Sequence, residues 1–209
     1  MAYTANGTTQ YLSAAAPVTA VPVTIAAWFY PTASVNGAIG YLGVASSQHR
    51  LQLSYRAART VQAYAQSGSG FPSVESTATT PLNTWAHACA VFSSNSSRSI
   101  FLNGGNSATN TTAISSPEAF TSTNIFARTA ASSVGTYFAG SIAEFGIWNA
   151  ALTAEEVASL AKGMTCDKVR PQSLVFYAPL VRDLNDQKGG LAITNNNGAT
   201  VANHPRVYA

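Results

Sequence analysis

The sequence predicts an all-β fold: an antiparallel β-sandwich with one short α-helix. Along most of the chain apolar residues recur with a period of two, the spacing of half-buried strands. Clusters of Gly, Asn, Ser and Pro separate these runs, as in sandwiches. Charged residues make up 9% of the chain and hydrophobic residues 46%, which is enough apolar material for a buried core.

Nine runs have the composition of strands. In one of them Leu51, Leu53 and Tyr55 alternate with polar residues. Asn103-Gly104 predicts a tight hairpin, because both residues accept the positive φ of its turn. The predicted strands are Val23–Tyr30, Ala38–Ala45, Arg50–Arg56, Thr60–Gln66, Trp85–Phe92, Ser99–Leu102, Asn124–Ala127, Tyr137–Trp148 and Leu174–Leu180.

One segment predicts a helix of about three turns. Thr153 and Glu156 have the spacing of a capping box, in which each side chain bonds the other residue's backbone amide. Val157 and Leu160 follow at helical spacing, and Gly163 supplies a C-terminal stop. We expect this helix to close one end of the sandwich.

The chain divides into a main sandwich over residues 1–163, ending in the helix, and a C-terminal extension over residues 164–209. The extension is too short and too poor in apolar residues to fold alone. We therefore expect it to add strands to the same sandwich, and we regard it as the candidate contact for assembly.

Charge and hydropathy argue against nucleic-acid and membrane partners. The net charge is +3, but the basic residues are scattered, and a nucleic-acid surface needs them clustered. No run approaches the eighteen apolar residues of a membrane helix. The start of the chain lacks the basic and apolar regions of a secretory signal, which predicts synthesis in a reducing cytoplasm. There Cys89 and Cys166 are expected to be free thiols, with a single disulfide as the alternative.

Five segments, in order along the chain, resemble the motifs of concanavalin A-like, laminin G-type jelly rolls. They are Asn6–Leu12, Thr24–Pro31, Trp85–Phe92, Ile100–Gly104, and Phe138–Asn149 with Leu152-Thr153. The resemblance implies the sandwich fold and places Trp28, Trp85 and Trp148 in the core. It leaves function open, because this fold carries lectins, adhesion modules, hydrolases and viral structural proteins.

The C-terminal extension resembles forms of this domain found in bacteria and in phage genomes. The matching segments are Leu174–Leu180, the D-x-x-G-G turn Asp186–Gly190, and the closing H-P-R-V of His204–Val207. This resemblance implies a place in a phage virion.

Hydrolysis of glycans on this scaffold requires two carboxylates facing each other across a cleft. Glu144 is the one acid inside a predicted strand, and its alternate neighbours are Ile142 and Gly146. We therefore predict no catalytic residues and no enzymatic activity. The acids of the chain are Glu75, Glu118, Glu144, Glu155, Glu156, Asp167, Asp183 and Asp186.

No metal site is predicted. His49, His87 and His204 are isolated in the sequence, which argues against zinc. Many laminin G-type domains hold calcium, so calcium is the one candidate cofactor. The best cluster of oxygen ligands is Asp183, Asn185 and Asp186, whose alternative role is to shape turns.

Carbohydrate recognition would use an exposed aromatic ring for stacking, with amides or guanidinium groups for the hydroxyls. The candidates are Tyr41, Tyr55, Tyr64 and Phe71, together with Gln48, Arg50, Gln52 and Gln62. Packing within strands is the competing role of the tyrosines. The sequence does not single out a carbohydrate site.

The leading hypothesis is a non-catalytic phage virion protein, a capsid-decorating or tail-associated subunit. It would be made in the host cytoplasm and would contact itself, other virion proteins and surface glycans. The alternative is a free lectin-like carbohydrate-binding protein, and a glycan hydrolase is a third reading. The low charge and the phage-like extension favour the virion, whereas a lectin requires an accessible aromatic groove.

Overall fold

The computed structural model describes residues 1–115 and 118–208, and within them it confirms the all-β prediction. Two antiparallel sheets pack face to face, and one α-helix accompanies them in the described chain. No helix in these residues is long and apolar enough to cross a membrane.

The strands of sheet A are β1 (Ala2–Asn6), β3 (Val23–Pro31), β8 (Ala86–Ser94), β9 (Ser97–Leu102), β10 (Gly105–Asn110), β14 (Ala139–Trp148), β15 (Leu174–Ala178) and β17 (Thr200–Ala202). Their order in the sheet is β10-β9-β8-β3-β14-β1-β17, and β15 pairs with the second half of β14.

Sheet B has the order β16-β2-β11-β4-β5-β6-β7. Its strands are β2 (Tyr11–Ala15), β4 (Gly37–Gly43), β5 (Arg50–Tyr55), β6 (Val61–Gln66), β7 (Ser73–Glu75), β11 (Ser122–Ile125) and β16 (Thr194–Asn196). A separate hairpin of β12 (Arg128–Ala130) and β13 (Ser133–Gly135) completes the described strands.

The main core lies between the two sheets. Ile25 and Phe29 point into it from β3, and Leu51 and Leu53 point into it from β5. Because side chains alternate along a strand, the residues directly before and after each of these face outwards. The outward residues of β3 and β5 therefore form the outer faces of the two sheets.

The predicted capping box is present. The Thr153 hydroxyl accepts from the Glu156 amide, and the Glu156 carboxylate accepts from the Thr153 amide. The helix, α1 (Ala154–Ala161), has eight residues and is shorter than the three turns expected.

The predicted location of the helix is wrong: α1 lies on the outer face of sheet A instead of closing one end of the sandwich. Its Val157 and Leu160 join a second apolar cluster with Ala26, Cys89 and Trp148. Sheet A therefore has apolar residues on both faces, and its outer face needs a second layer to shield it from water.

The expectation that all three tryptophans lie in the core is correct only for Trp148, which is fully buried beneath α1. Trp28 and Trp85 are partly exposed on the outer face of sheet A. The Trp28 ring contacts the His87 ring at 5.6 Å between centroids. Because side chains alternate along β3 and Ile25 and Phe29 point into the core, the Trp28 side chain points to the outer face.

The C-terminal extension contributes to both sheets. Its strands pair with β14, with β2 at one edge of sheet B, and with β1 at one edge of sheet A. Beyond β17, the Tyr208 backbone pairs with Gly163 and Thr165 after the helix. Cys89 and Cys166 are free and buried, as expected.

Candidate functional site

The β12–β13 hairpin lies over the outer face of sheet B and leaves a groove between itself and strands β5 and β6. The groove has two adjoining parts of about 490 and 240 Å³. Arg50, Tyr64 and Arg128 border both parts and so mark its middle. Phe71 lies at one end, and Gln62 lies at the other.

Strand parity explains the polar floor of the groove. Arg50, Gln52 and Ser54 of β5 pair with Gln66, Tyr64 and Gln62 of β6, and all six side chains point away from the core. They are nevertheless largely shielded from solvent: Tyr64 is half-buried and the other five are buried.

Short hydrogen bonds hold the floor in place. The Gln52 amide donates to the Ser54 hydroxyl at 2.7 Å, and the Tyr64 hydroxyl donates to the Gln66 side chain at 2.9 Å. Side chains fixed in this way lose little further freedom when a ligand binds.

Arg50 is the most deeply placed charge of the groove. Its guanidinium donates to the Gln48 side chain at 3.1 Å and to the Tyr64 hydroxyl at 3.3 Å. The Arg50 Cζ atom also lies 5.0 Å from the centroid of the Tyr64 ring, a cation–π contact. Burial lowers the pKa of the Arg50 guanidinium, and the positive charge of Arg128 acts in the same direction.

The hairpin has a strained turn. Ala131 and Ser132, its two loop residues, have φ values of 47° and 63°, as a type I′ turn requires. Residues with a Cβ atom avoid this region, and Asn-Gly is the usual solution. The surrounding backbone holds the turn: the Ala131 and Ser132 amides donate to the carbonyls of Ser47 and Ala45 at 3.0 and 2.7 Å.

Left-handed residues also flank the hairpin. Phe126 has φ of 73° before it, and Thr136 has φ of 52° after it. The Arg128 Nε atom donates to the Thr136 hydroxyl at 2.7 Å, which fixes this arginine at the groove. The Ala38 amide donates to the Thr136 carbonyl at 2.9 Å, so the hairpin is held at its base as well as at its tip.

The structure brings most of the predicted carbohydrate candidates together. Tyr64, Phe71, Gln48, Arg50, Gln52 and Gln62 all border the groove.

Two of the predicted aromatic candidates do not offer a free ring. Tyr41 is fully buried. Tyr55 packs in the core against Phe29 and Phe138, although it borders one end of the groove.

Sequence reasoning missed Gln66 and Arg128. The alternation that starts at Gln62 and Tyr64 could have placed Gln66 on the same face. Nothing in the local sequence places Arg128 there, because the turn after it lacks the usual hairpin residues.

The described residues that line the groove include no acidic side chain. Glu144, the acid of a predicted strand, is buried elsewhere: it accepts a 2.5 Å hydrogen bond from the Tyr177 hydroxyl and lies 3.2 Å from His204 Nε2. Burial, and then the Glu144 charge, raise the pKa of Tyr177. Glu144 therefore stabilises the docked C-terminal extension and has no place in the groove.

The candidate calcium residues form a turn instead of a cation site. Both Asp186 oxygens are occupied by backbone amides, those of Tyr177, Lys188 and Gly189 on one oxygen and that of Leu191 on the other. Among the described residues, no three His, Cys, Asp or Glu side chains are grouped closely enough to hold a metal. The donor set does not fit calcium, which prefers six to eight oxygens.

Comparison with known proteins agrees with this architecture. Residues 6–158 match the Laminin_G_3 family of the concanavalin A-like lectin/glucanases superfamily. No curated protein matches the chain.

Among solved structures, a native heptameric SAP-like pentraxin from Limulus polyphemus is similar over 94% of this chain and 90% of its own, with 17% identity and a TM-score of 0.68. The CBM40 of the Ruminococcus gnavus IT-sialidase, bound to α2,3-sialyllactose, covers 68% of this chain and 84% of its own, with 13% identity and a TM-score of 0.59.

Domain 4 of AbnA, a GH43 extracellular arabinanase from Geobacillus stearothermophilus in complex with arabinotriose, is also similar. It covers 77% of this chain and 76% of its own, with 18% identity and a TM-score of 0.60. At these identities the likeness concerns the fold. With the family match spanning most of the chain, this protein belongs to the laminin G-type family of the concanavalin A-like lectin/glucanase superfamily.

Proposed function

We propose that this protein is a non-catalytic carbohydrate-binding domain that holds a glycan in the groove of sheet B. The observation that carries the proposal is the groove itself, which combines aromatic rings with several side-chain amides and guanidinium groups. Sugars are recognised by this combination of an apolar platform and a few convergent polar groups.

The aromatic ring, the side-chain amides and the hairpin of the groove have different roles in this binding. Phe71 is 63% exposed and offers a ring face on which the apolar side of a sugar can stack. Gln48 and Gln66, which border the same part of the groove, can both donate to and accept from sugar hydroxyls. The hairpin forms the opposite wall and limits the width of the ligand.

Two similar structures support the proposal through what they hold. One is bound to a sialylated lactose, and the other is in complex with arabinotriose. The lack of an acidic side chain among the described groove residues supports the non-catalytic part.

A glycan array followed by calorimetry tests the proposal. We expect the protein to bind a subset of glycans, and Phe71→Ala to weaken that binding by about tenfold, the loss expected for one stacking contact. Tyr208→Ala is the matched control, because Tyr208 is 69% exposed but does not border the groove. Failure to bind any glycan, or equal losses in both variants, would contradict the proposal.

Hydrolysis has a separate test. Incubation with β-glucans, agar, carrageenan and alginate should release no reducing ends. Turnover that depends on Glu144 would overturn the non-catalytic assignment.

A virion role is proposed as a second candidate, in which this domain serves as a capsid-decorating or tail-associated subunit. One feature favours it: β17 lies at the edge of sheet A, where Val201 is 50% exposed and no lysine guards the strand. Such an edge suits pairing with a neighbouring subunit. Mass spectrometry of purified particles tests this role, and absence of the chain from them would count against it.

A further inference from the structure

We propose that the groove selects acidic saccharides, and that Arg50 and Arg128 together bind a carboxylate or sulfate group carried by the sugar. This inference rests on the proposed carbohydrate-binding function and specifies its ligand class.

The first support is position. Arg50 comes from the floor of the groove on β5, and Arg128 comes from the hairpin that covers it. Both border the two parts of the groove, together with Tyr64. A ligand that occupies the middle of the groove therefore meets positive charge from two sides.

The second support is the lack of a compensating acid. Arg50 is 6% exposed, its terminal nitrogens contact neutral oxygens, and its Nε atom has no hydrogen-bond partner among residues 1–115 and 118–208. Arg128 donates to the neutral Thr136 hydroxyl. Within the described chain neither arginine forms a salt bridge.

Other arginines of the protein show the contrast. Arg56, which borders the groove near Gln62, lies 3.4 Å from a Glu75 oxygen, and Arg170, outside the groove, lies 2.7 Å from a Glu156 oxygen. Both of these pairs are more exposed than Arg50. Arg98 is buried more deeply still and also has no acidic partner, but its terminal nitrogens donate to the Asn110 side chain and to two backbone carbonyls outside the groove. Arg50 is therefore the buried arginine without an acidic partner that borders the groove.

Electrostatics explains why an anion fits. Two positive charges close together and shielded from water destabilise each other, and a buried charge without a partner is costly. A carboxylate or sulfate relieves both effects and accepts the forked hydrogen bonds of a guanidinium. The hydroxyl groups of a neutral sugar can accept hydrogen bonds but cannot supply the opposite charge.

The test is an array on which each neutral glycan stands beside forms of the same backbone that carry a uronic acid, a sialic acid or a sulfate ester. We expect binding to the acidic forms to exceed binding to the neutral form by at least about tenfold, the effect of one charge-assisted hydrogen bond. The carboxylate and sulfate forms distinguish the two sources of the anion. Uronic acid methyl esters should bind like the neutral backbone.

Variants locate the effect. Arg128→Gln should remove most of the preference for the acidic form while leaving the melting temperature nearly unchanged, and Arg128→Lys should retain part of it. Arg206→Gln removes the same charge at an exposed position outside the groove and should change nothing. Arg50→Gln, provided that it melts cooperatively, should also reduce the preference for the acidic form.

The outcomes separate this inference from the proposed function. Equal affinity for neutral and acidic forms, with both weakened in Phe71→Ala, would overturn the inference and leave the carbohydrate-binding function in place. Binding to no glycan would overturn both. A preference for acidic forms that survives Arg128→Gln would show that the anion is bound elsewhere and would overturn the assignment.

Discussion

The outer faces of the two sheets differ in what covers them. On sheet A, α1 and the segment after it seal an apolar layer built from Ala26, Cys89, Val91 and Trp148, which we call the helix-covered face. On sheet B, the hairpin covers a polar floor and leaves the groove, which we call the groove face.

The difference teaches that the outward residues of the strands decide what a covering element does. Small apolar residues on β3 and β8 allow helix side chains to pack closely and exclude water. Long polar residues on β5 and β6 satisfy one another and keep the hairpin at a distance. One face of the sandwich therefore contributes stability, and the other leaves an open groove.

The largest expected effect is on the helix-covered face. Trp148→Ala should lower the free energy of unfolding by about 3–5 kcal/mol, because it leaves a large cavity. It also removes the indole donor that bonds the Val169 carbonyl at 2.9 Å. Denaturant unfolding measures the loss, and Phe71→Ala on the groove face is the matched control, with a loss below about 0.5 kcal/mol. Similar losses in both variants would erase the distinction between the faces.

A second effect appears in acid. Burial lowers the pKa of His87, on the outer face of sheet A, from 6.5 to about 3. The folded protein therefore keeps this histidine neutral while the unfolded chain protonates it. The contribution of the neutral His87 to the free energy of unfolding is fully present above pH 6.5. As the pH falls from 6.5 to 3, the free energy of unfolding decreases by about 1.4 kcal/mol per pH unit.

His87→Phe should flatten that part of the stability profile, measured by denaturant unfolding between pH 7 and pH 4. Arg128→Gln on the groove face should leave a profile parallel to that of the unmodified protein, because arginine keeps its charge throughout this range. If the slope persists in His87→Phe, carboxylates and not this histidine govern the acid response.

A smaller effect concerns the start of the helix. Thr153→Ala should cost about 1 kcal/mol, since it leaves the Glu156 amide without its capping oxygen. Thr153→Ser keeps the hydroxyl and should preserve most of the melting temperature. An unchanged melting temperature in the alanine variant would show that the cap adds nothing to the covering layer.

The smallest effect is a gain on the groove face. Replacing Ala131 and Ser132 by Asn and Gly places the favoured residues in the type I′ turn and should stabilise the protein by up to about 1 kcal/mol. Thermal unfolding measures the gain, and Ala57→Asn at an exposed position is a control for the added polar group. A loss of stability would show that the two residues make contacts that outweigh their strained backbone.

Much of the fold could be predicted, because its signals are local. The alternation around Leu51 and Leu53, the Asn103-Gly104 turn and the Thr153 cap each act within a few residues, and each is found where the sequence indicates it. The location of α1 was not predictable in this way, since it depends on the apolar outer face of two distant strands.

The sequence could predict which kinds of residues form the candidate site, but not where in the fold they meet. Tyr64, Phe71 and Arg50 are residue types able to bind sugars, but the common location of Tyr64 and Arg50 needs the pairing of β5 with β6. Arg128 arrives through a hairpin whose turn residues, Ala131 and Ser132, do not favour its conformation. Hydrogen bonds to Ala45 and Ser47 impose that conformation, and such tertiary contacts leave no local pattern.

The pairing of β1 with β17 has a mechanical consequence. Ala2 lies opposite Ala202 in this antiparallel pair, so a pulling force applied between the N-terminal end of β1 and the C-terminal end of β17 acts on the same end of the ladder. Its hydrogen bonds would then break one after another, as in unzipping, instead of resisting together in shear. The backbone contacts of Tyr208 with Gly163 and Thr165 lie further along the chain and would carry the load first when the pull comes through the extension. Under tension the edge of sheet A is therefore the compliant part of the molecule, and the groove on sheet B lies outside the first path of the force.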